Sequence, residues 1–584
     1  LKKELIELRN QMKENGIDIY MIPTTDYHGS EYVNDFFKCR KFISGFSGSA
    51  GTVVVTEDEA YLWTDGRYFL QAAAQLEGTG IGLMKSGEPG YPSILEFLEE
   101  KAKGGAYCLG FDGRVVGGAE GKEIARALKR YGVTISCDKD LVGDIWMNRP
   151  EIKPSTVYQL PLSVTGKTVD EKLAELLNIM SENNADYLLM TSLEEIAWLF
   201  NLRGADIGNT PVFFAFALIS RAEIKLFLLD GAITHEVADE LSFVQIRPYM
   251  QIADCIKRLP YGMTLWIDSS KANYTLCNSV PSSVHVINKP TPVELMKAVK
   301  NDVEIQSTLN AHVKDGVAMV KFIYWLKQNI GKEEISEMSA ASYLDRCRMS
   351  QESCFDLSFP TIAGYNSNGA IIHYDPTPET NAVLSPDGFL LVDSGGQYVD
   401  GTTDITRTIV LGHLNNKMKE YYTAVLKSHI ALASAVFKEG TTGMELDVTA
   451  RKPLRELGLD FKHGTGHGVG HILSVHEGPN FISPRNGDCP FLAGMITSDE
   501  PGVYIENEFG IRLENEILCV KQDDMLAFQP ITYCPFDREA ILADMLTPAE
   551  RNWINDYHKS VYKTLSHLLD TDIKAWLKEQ TAKI

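Results

Sequence analysis

Residues 388–411 read GFLLVDSGGQYVDGTTDITRTIVL. Two apolar runs rich in β-branched residues flank glycines and Asp400, the pattern of two strands joined by a turn. Asp393 and Asp404 are set into those runs. An ionised carboxylate in apolar surroundings is costly unless something compensates its charge. A hairpin would bring the two aspartates together, and two close carboxylates repel unless a cation lies between them. The alternative is that each aspartate caps a turn or pairs with Arg407.

Further along, residues 463–471 read HGTGHGVGH, and His476-Glu477 follow after ILSV. Histidines four apart would share one face of a helix. Four glycines in nine residues exclude a helix here, so the segment is expected to be extended, with backbone and imidazole free to approach a site closely. Two more carboxylates repeat the strand context. Glu500 in GMITSDEPG stands at a strand-to-turn step marked by Pro501-Gly502, and Glu514 lies in the apolar strand GIRLENEIL. Asp393, Asp404, His467, Glu500 and Glu514 together offer four carboxylates and one imidazole. Oxygen-rich donors favour hard ions, manganese above zinc, with cobalt or iron also able to bind. Four carboxylates balance two divalent cations, which is the donor set of a two-metal hydrolytic centre.

Around this core, 584 residues exceed what one hydrophobic core supports and predict three or four domains. The balance of 78 acidic against 56 basic residues, a net charge of -22, argues against a nucleic-acid partner and against docking on anionic membranes. No apolar run reaches the ~18 residues of a membrane span. The opening LKKELIELRNQMKENGIDIY reads as an amphipathic helix rather than a signal peptide, and a cytoplasmic enzyme is expected. The ten cysteines are scattered without a CxxC pair, so neither a disulfide framework nor a cysteine zinc site is predicted.

The first half carries a loose internal repeat. IDIYMIPT (17–24) and ADYLLMT (185–191) each follow a helix. Each leads into an apolar strand pair, GTVVVTEDEAYLW and VFFAFALISRAEIKLFLL. This predicts two related α/β domains. Proline-rich stretches at 148–161 and 288–300 read as linkers. Val293 to Gln328 reads as two helices in series. The tail is helical, opened by Thr547 with Glu550 three residues on, a capping box.

The order Asp-x10-Asp, HGTGHGVG, DEPG and IRLENE resembles the pita-bread metallopeptidases. Within these, WTDGRYF (63–69), HYDP (373–376) and VDGTTDITRT resemble the long, three-domain aminopeptidase P enzymes, over nearly the whole chain. The fold implied is mixed α/β and α+β. Two creatinase-like N-terminal α/β domains (1–155 and 156–290) would precede a pita-bread catalytic domain (291–525) and a helical extension (526–584). The function implied is release of the N-terminal residue from peptides with proline second, in a homodimer. By resemblance Asp393 binds one metal, Asp404 and Glu514 bridge two, and His467 and Glu500 complete the second. Glu500 would shuttle the proton, and His463 and His476 would bind the scissile carbonyl. His373 would line the leaving side, and Arg512 would support the bridging glutamate. Arg67 would reach a neighbouring subunit's site or else form a turn salt bridge. His471 departs from the family's small residue and is expected to lie either just behind the site or on the surface. The competing readings are a prolidase limited to Xaa-Pro dipeptides, and a metal-free or silent module of the same fold. The intact ligand set opposes the latter.

Overall fold

The computed structural model describes residues 2–584. The chain divides into two compact units. One holds the residues up to Pro161 with Lys167–Glu294, and the other holds Leu162–Gly166 with Leu295–Ile584.

In the first unit, strands β1 (Ile19–Pro23), β2 (Thr52–Thr56), β3 (Ala60–Thr64), β4 (Gly82–Lys85), β5 (Cys108–Gly110) and β6 (Thr134–Ser136) form a sheet ordered β4-β3-β2-β1-β5-β6. The central β1 is apolar throughout and buried from Ile19 to Ile22, as a strand covered on both faces must be. β1 runs antiparallel to β2, and β2 to β3, whereas β4, β5 and β6 join in parallel. A second sheet is built from β7 (Tyr187–Met190), β8 (Ala215–Ser220), β9 (Ile224–Leu228), β10 (Gln245–Pro248), β11 (Thr264–Ile267) and β12 (His285–Asn288). Its order, β10-β9-β8-β7-β11-β12, and its strand directions repeat those of the first. A helix leads into the central strand in each case, Lys3–Glu14 before β1 and Val169–Glu182 before β7. The loose sequence repeat is therefore a repeat of topology.

The two helices expected in series are Pro292–Ala298 and, in the second unit, α1 (Asp302–Asn329). α1 is started by a capping box in which Asn301 accepts from Val303 N and Glu304 N while Glu304 returns a bond to Asn301 N. Helix α2 (Glu337–Met349) leads to the antiparallel strands β13 (Cys354–Tyr365), β14 (Phe389–Tyr398) and β15 (Ile405–Val410), with β14 between the other two. Helices α3 (Asn416–Ala433) and α4 (Gly443–Arg455) follow. Then come β16 (Gly466–Gly468), β17 (Glu477–Ile482), β18 (Ile496–Asp499), the hairpin β19 (Gly502–Ile505) and β20 (Phe509–Arg512), and β21 (Asn515–Gln522) and β22 (Met525–Pro530). In the second sheet of this unit the order β22-β21-β18-β16-β17 brings the glycine-rich segment beside the strands that precede Glu500 and follow Glu514. A core of α3, α5 (Pro548–Leu565) and the β19–β20 hairpin backs the site, with Tyr422, Val425, Ile511, Leu513, Ile554 and Val561 inaccessible. The capping box at Thr547 and Glu550 opens α5. No helix among the described residues is long and apolar enough to cross a membrane.

One local expectation fails. Asp404 and Glu514 are not inside strands: the ladder is interrupted at 403–404 and at 513–514, and Glu500 stands just past β18. Only Asp393 is a regular strand residue, opposite Thr406. A pleated ladder points its side chains perpendicular to the sheet. Aiming several carboxylates at one spot requires departures from that regularity, which alternation of apolar residues does not reveal.

Candidate metal centre

The β14–β15 hairpin carries Asp393 on one strand and Asp404 at the entry to the other. Gly395 makes the interruption possible, since a Cβ there would lie 1.9 Å from Thr403 O. Glu514 is drawn to the same hairpin by two bonds to one residue. Thr406 Oγ1 donates to Glu514 Oε2 at 2.6 Å, and Glu514 N donates to Thr406 O at 3.1 Å. Glu500 N donates to Thr465 O at 2.9 Å, which fixes Glu500 to the glycine-rich segment. His467 N donates to Ser498 Oγ at 3.0 Å. Gly466 is obligatory there because a Cβ would come within 1.9 Å of Ser498 O.

These constraints converge. Donor atoms of Asp393, Asp404 and Glu514 lie within 4.8 Å of one another, as do those of His467, Glu500 and Glu514, and those of Asp404, His467 and His476. His467 Nε2 stands 3.4 Å from both Asp404 Oδ2 and Glu500 Oε1. The His467 and His476 rings are 4.3 Å apart. Asp393, Asp404 and Glu514 are 8%, 4% and 1% exposed, so water does little to screen them. Burial first, and then the neighbouring Asp393, pushes the Asp404 carboxyl well above the ordinary carboxylate range. Burial followed by Asp404, Glu500 and Asp393 does the same to Glu514. Burial pushes Glu500 up to about 7, against the opposing pull of His467. Asp393 Oδ1 is buried without a hydrogen bond. A crowd of carboxylates that resist ionisation, with an unsatisfied oxygen among them, fits a pair of cations and is unfavourable without them.

The supporting residues partly differ from expectation. Arg512 donates through Nη2 to Asp393 Oδ2 at 2.6 Å and through Nη1 to Tyr504 OH at 2.9 Å. Its ion-pair partner is Asp393, and through Nε it also donates to Thr406 Oγ1 at 3.3 Å, the hydroxyl that holds Glu514, so it reaches that glutamate by way of Thr406. Arg512 is 1% exposed, so it acts behind the site. Arg407 pairs with neither aspartate. Its donors go to the carbonyls of Thr406, Glu514, Cys534 and Pro535 and to Asn515 Oδ1 and Tyr557 OH. His463 bonds through Nδ1 to Gly464 O at 2.7 Å and through Nε2 to Tyr504 OH at 2.8 Å. A role at a substrate carbonyl therefore requires it to exchange the Tyr504 bond. His373 sits in the turn beside Ile372, whose carbonyl accepts from Arg512 Nη2 at 3.4 Å. His471 is buried. Its Nδ1 lies 3.2 Å from Thr308 Oγ1 and its Nε2 3.0 Å from Val164 O, so it is not the surface histidine, one of the two places expected of it.

In the first unit Arg67 closes on Asp65, with Nε to Oδ1 and Nη2 to Oδ2 both at 2.8 Å, and lies 3.7 Å from Glu31. Arg114 makes the same fork on Asp112 in the second Asp-Gly-Arg turn. This is the turn salt bridge weighed above. Sequence reasoning missed Tyr504, Thr406 and Arg451. Arg451 grips Asp447 and the carbonyls of Phe461 and His463. Only Thr406 left a signal, its two-residue spacing from Asp404.

The model of the family described as metallopeptidase family M24 matches residues 306–521, and that of its C-terminal region matches 524–584. Two creatinase/prolidase N-terminal domain models match 5–140 and 148–304. A Coprinopsis cinerea protein named probable Xaa-Pro aminopeptidase P is 38% identical over all of this chain and 98% of its own length. The chain belongs to the aminopeptidase P group of metallopeptidase family M24. An Aspergillus fumigatus protein of the same name is 39% identical to this M24 peptidase, across the whole chain and 92% of the relative. A crystal structure of X-prolyl aminopeptidase from Caenorhabditis elegans, described as a cytosolic enzyme with a di-nuclear active site, superposes with a TM-score of 0.95. It is 33% identical over 100% of this chain and 99% of that one. This M24 peptidase is a hydrolase, with two creatinase-type domains ahead of a pita-bread catalytic domain.

Proposed function

We infer that this M24 peptidase is an Xaa-Pro aminopeptidase, hydrolysing the bond between an N-terminal residue and a proline in second position. The observation that carries this is the convergence of Asp393, Asp404, His467, Glu500 and Glu514 in a chain that matches aminopeptidases P from end to end. Those five side chains would hold two divalent cations, manganese by the preference of an oxygen-rich set, with cobalt, iron or zinc as alternatives. Such ions supply Lewis acidity and a water of lowered pKa.

The chain's own residues do the rest. Arg512 fixes one oxygen of Asp393 and leaves the other directed at the site. Thr406 holds one oxygen of Glu514, the carboxylate that would be shared between the two ions. Glu500 takes the proton from the attacking water and returns it to the leaving amine, His476 and, on giving up its bond to Tyr504, His463 bind the scissile carbonyl, and His373 lines the leaving side. The enzyme is proposed to act in the cytoplasm as a homodimer on peptides, without nucleic-acid or membrane partners.

The test is release of the first residue from an Xaa-Pro peptide of three or more residues, with manganese and with chelator. Release that needs metal, is lost when alanine replaces proline, and exceeds that from Xaa-Pro dipeptides is expected. Strong preference for dipeptides would make the chain a prolidase instead.

A further inference from the structure

The candidate ligands come from separate segments, and something must set the glycine-rich segment against the hairpin. Leu473 lies between His467 and His476, and both its backbone groups are held by the hairpin tip. Leu473 N donates to Thr402 Oγ1 at 3.3 Å, and Thr402 Oγ1 donates to Gln397 Oε1 at 2.8 Å. Gln397 Nε2 closes the ring by donating to Leu473 O at 2.8 Å. Gln397 and Thr402 face each other across the ladder, and both are fully buried. Gln397 is four residues past Asp393 and Thr402 two before Asp404, so the ring joins the aspartate hairpin to the histidine segment.

A second observation bears on the same turn. Ile472, beside Leu473, has φ +54°, the left-handed region that a β-branched residue avoids. It is wholly buried. Such backbone persists only where its surroundings over-determine it. Besides the ring, Gly470 N donates to Ser474 O at 2.9 Å across the turn, and His471 ties the adjacent residue to Thr308 and Val164.

We propose that Gln397 and Thr402 are positioning residues that fix His467 and His476 relative to Asp404 by gripping Leu473. The proposal rests on the reading of this site as the catalytic metal centre. In the ring their side chains meet each other and the backbone of Leu473. Loosening their grip would let the histidines shift while the protein stays folded, and loss of such supporting contacts costs about 10- to 100-fold in activity.

The experiment uses the full chain carrying cobalt(II), with Gln397→Met, Thr402→Val and Thr402→Ser. Activity on an Xaa-Pro tripeptide is read beside the cobalt visible absorption spectrum and the cobalt content. Gln397→Met and Thr402→Val are expected to keep two cobalt ions per chain, alter the spectrum, and lower kcat about 10- to 100-fold with KM changed less than about threefold. Thr402→Ser, which restores the hydroxyl, is expected to return kcat to within about threefold of the parent. Parent spectrum and parent kcat in Gln397→Met and Thr402→Val would overturn the proposal, and so would a loss that Thr402→Ser fails to rescue. If Gln397→Met does not fold, the two Thr402 variants decide alone. A parent protein that takes up no cobalt would instead overturn the reading of the site itself.

Discussion

Asp404 stands in two of the three donor groups and is pressed by Asp393 on one side and His467 and His476 on the other. Asp404→Ala is expected to abolish peptide hydrolysis and to lower bound metal from two ions to one or none. Near-parental turnover with two ions retained would refute its bridging place. Thr406 acts one step back, through the single hydroxyl that meets Glu514. Thr406→Val keeps the shape and removes that bond. It should leave the chain folded and cut kcat by about tenfold, and unchanged kinetics would show that Glu514 needs no such support. The donors could be read from the sequence because a carboxylate amid apolar residues demands a reason. Their helpers Tyr504 and Arg451 could not, because a tyrosine or arginine has many uses, and Arg512 is named only by the resemblance. Arg512 meets Asp393 across 119 positions of chain, a pairing that no local pattern encodes.

The strands deliver the donors by pausing. Asp404, Glu500 and Glu514 each stand where a ladder stops or starts, and the glycine-rich segment comes close enough to β18 for only glycine to fit at 466. Gly466→Ala should therefore strain that contact, destabilising the fold by about 1–3 kcal/mol and depressing activity more than stability. A variant with parental melting and parental kcat would contradict the close approach. Thr547→Ala tests the opposite case. The capping box of α5 is far in sequence from the donors, so the loss should cost about 1 kcal/mol of stability with kcat unchanged. At this scale the hairpin, the non-helical HGTGHGVGH run, the paired helices before the catalytic region and the capped tail were all legible from period and capping pattern. The interruptions at 403–404 and 513–514 were not, because tertiary convergence imposes them and periodicity is blind to that.

Across the molecule, the acidic centre links stability to pH and to metal. In stripped protein the Glu500 carboxyl is raised from 4.5 to about 7, so its protonated form is favoured by folding. That contribution, about 3 kcal/mol, is complete below the unfolded value and is lost as pH rises through the folded one. Cations require the ionised form and reverse the trend. The melting temperature of manganese-loaded protein should exceed that of chelator-treated protein by a margin that widens from pH 5 to pH 8. A margin that narrows over that range would contradict the placement of Glu500 among the donors. The repeat in the first unit was legible as a helix, a strand and a following strand pair met twice, but not in its strand order, which leaves no mark in composition. The structure makes it complete, six strands matched to six in order and direction. Identical wiring under two dissimilar sequences means that the route of the chain tolerates wholesale replacement of side chains, so substitutions that keep each strand's apolar character should leave either sheet intact.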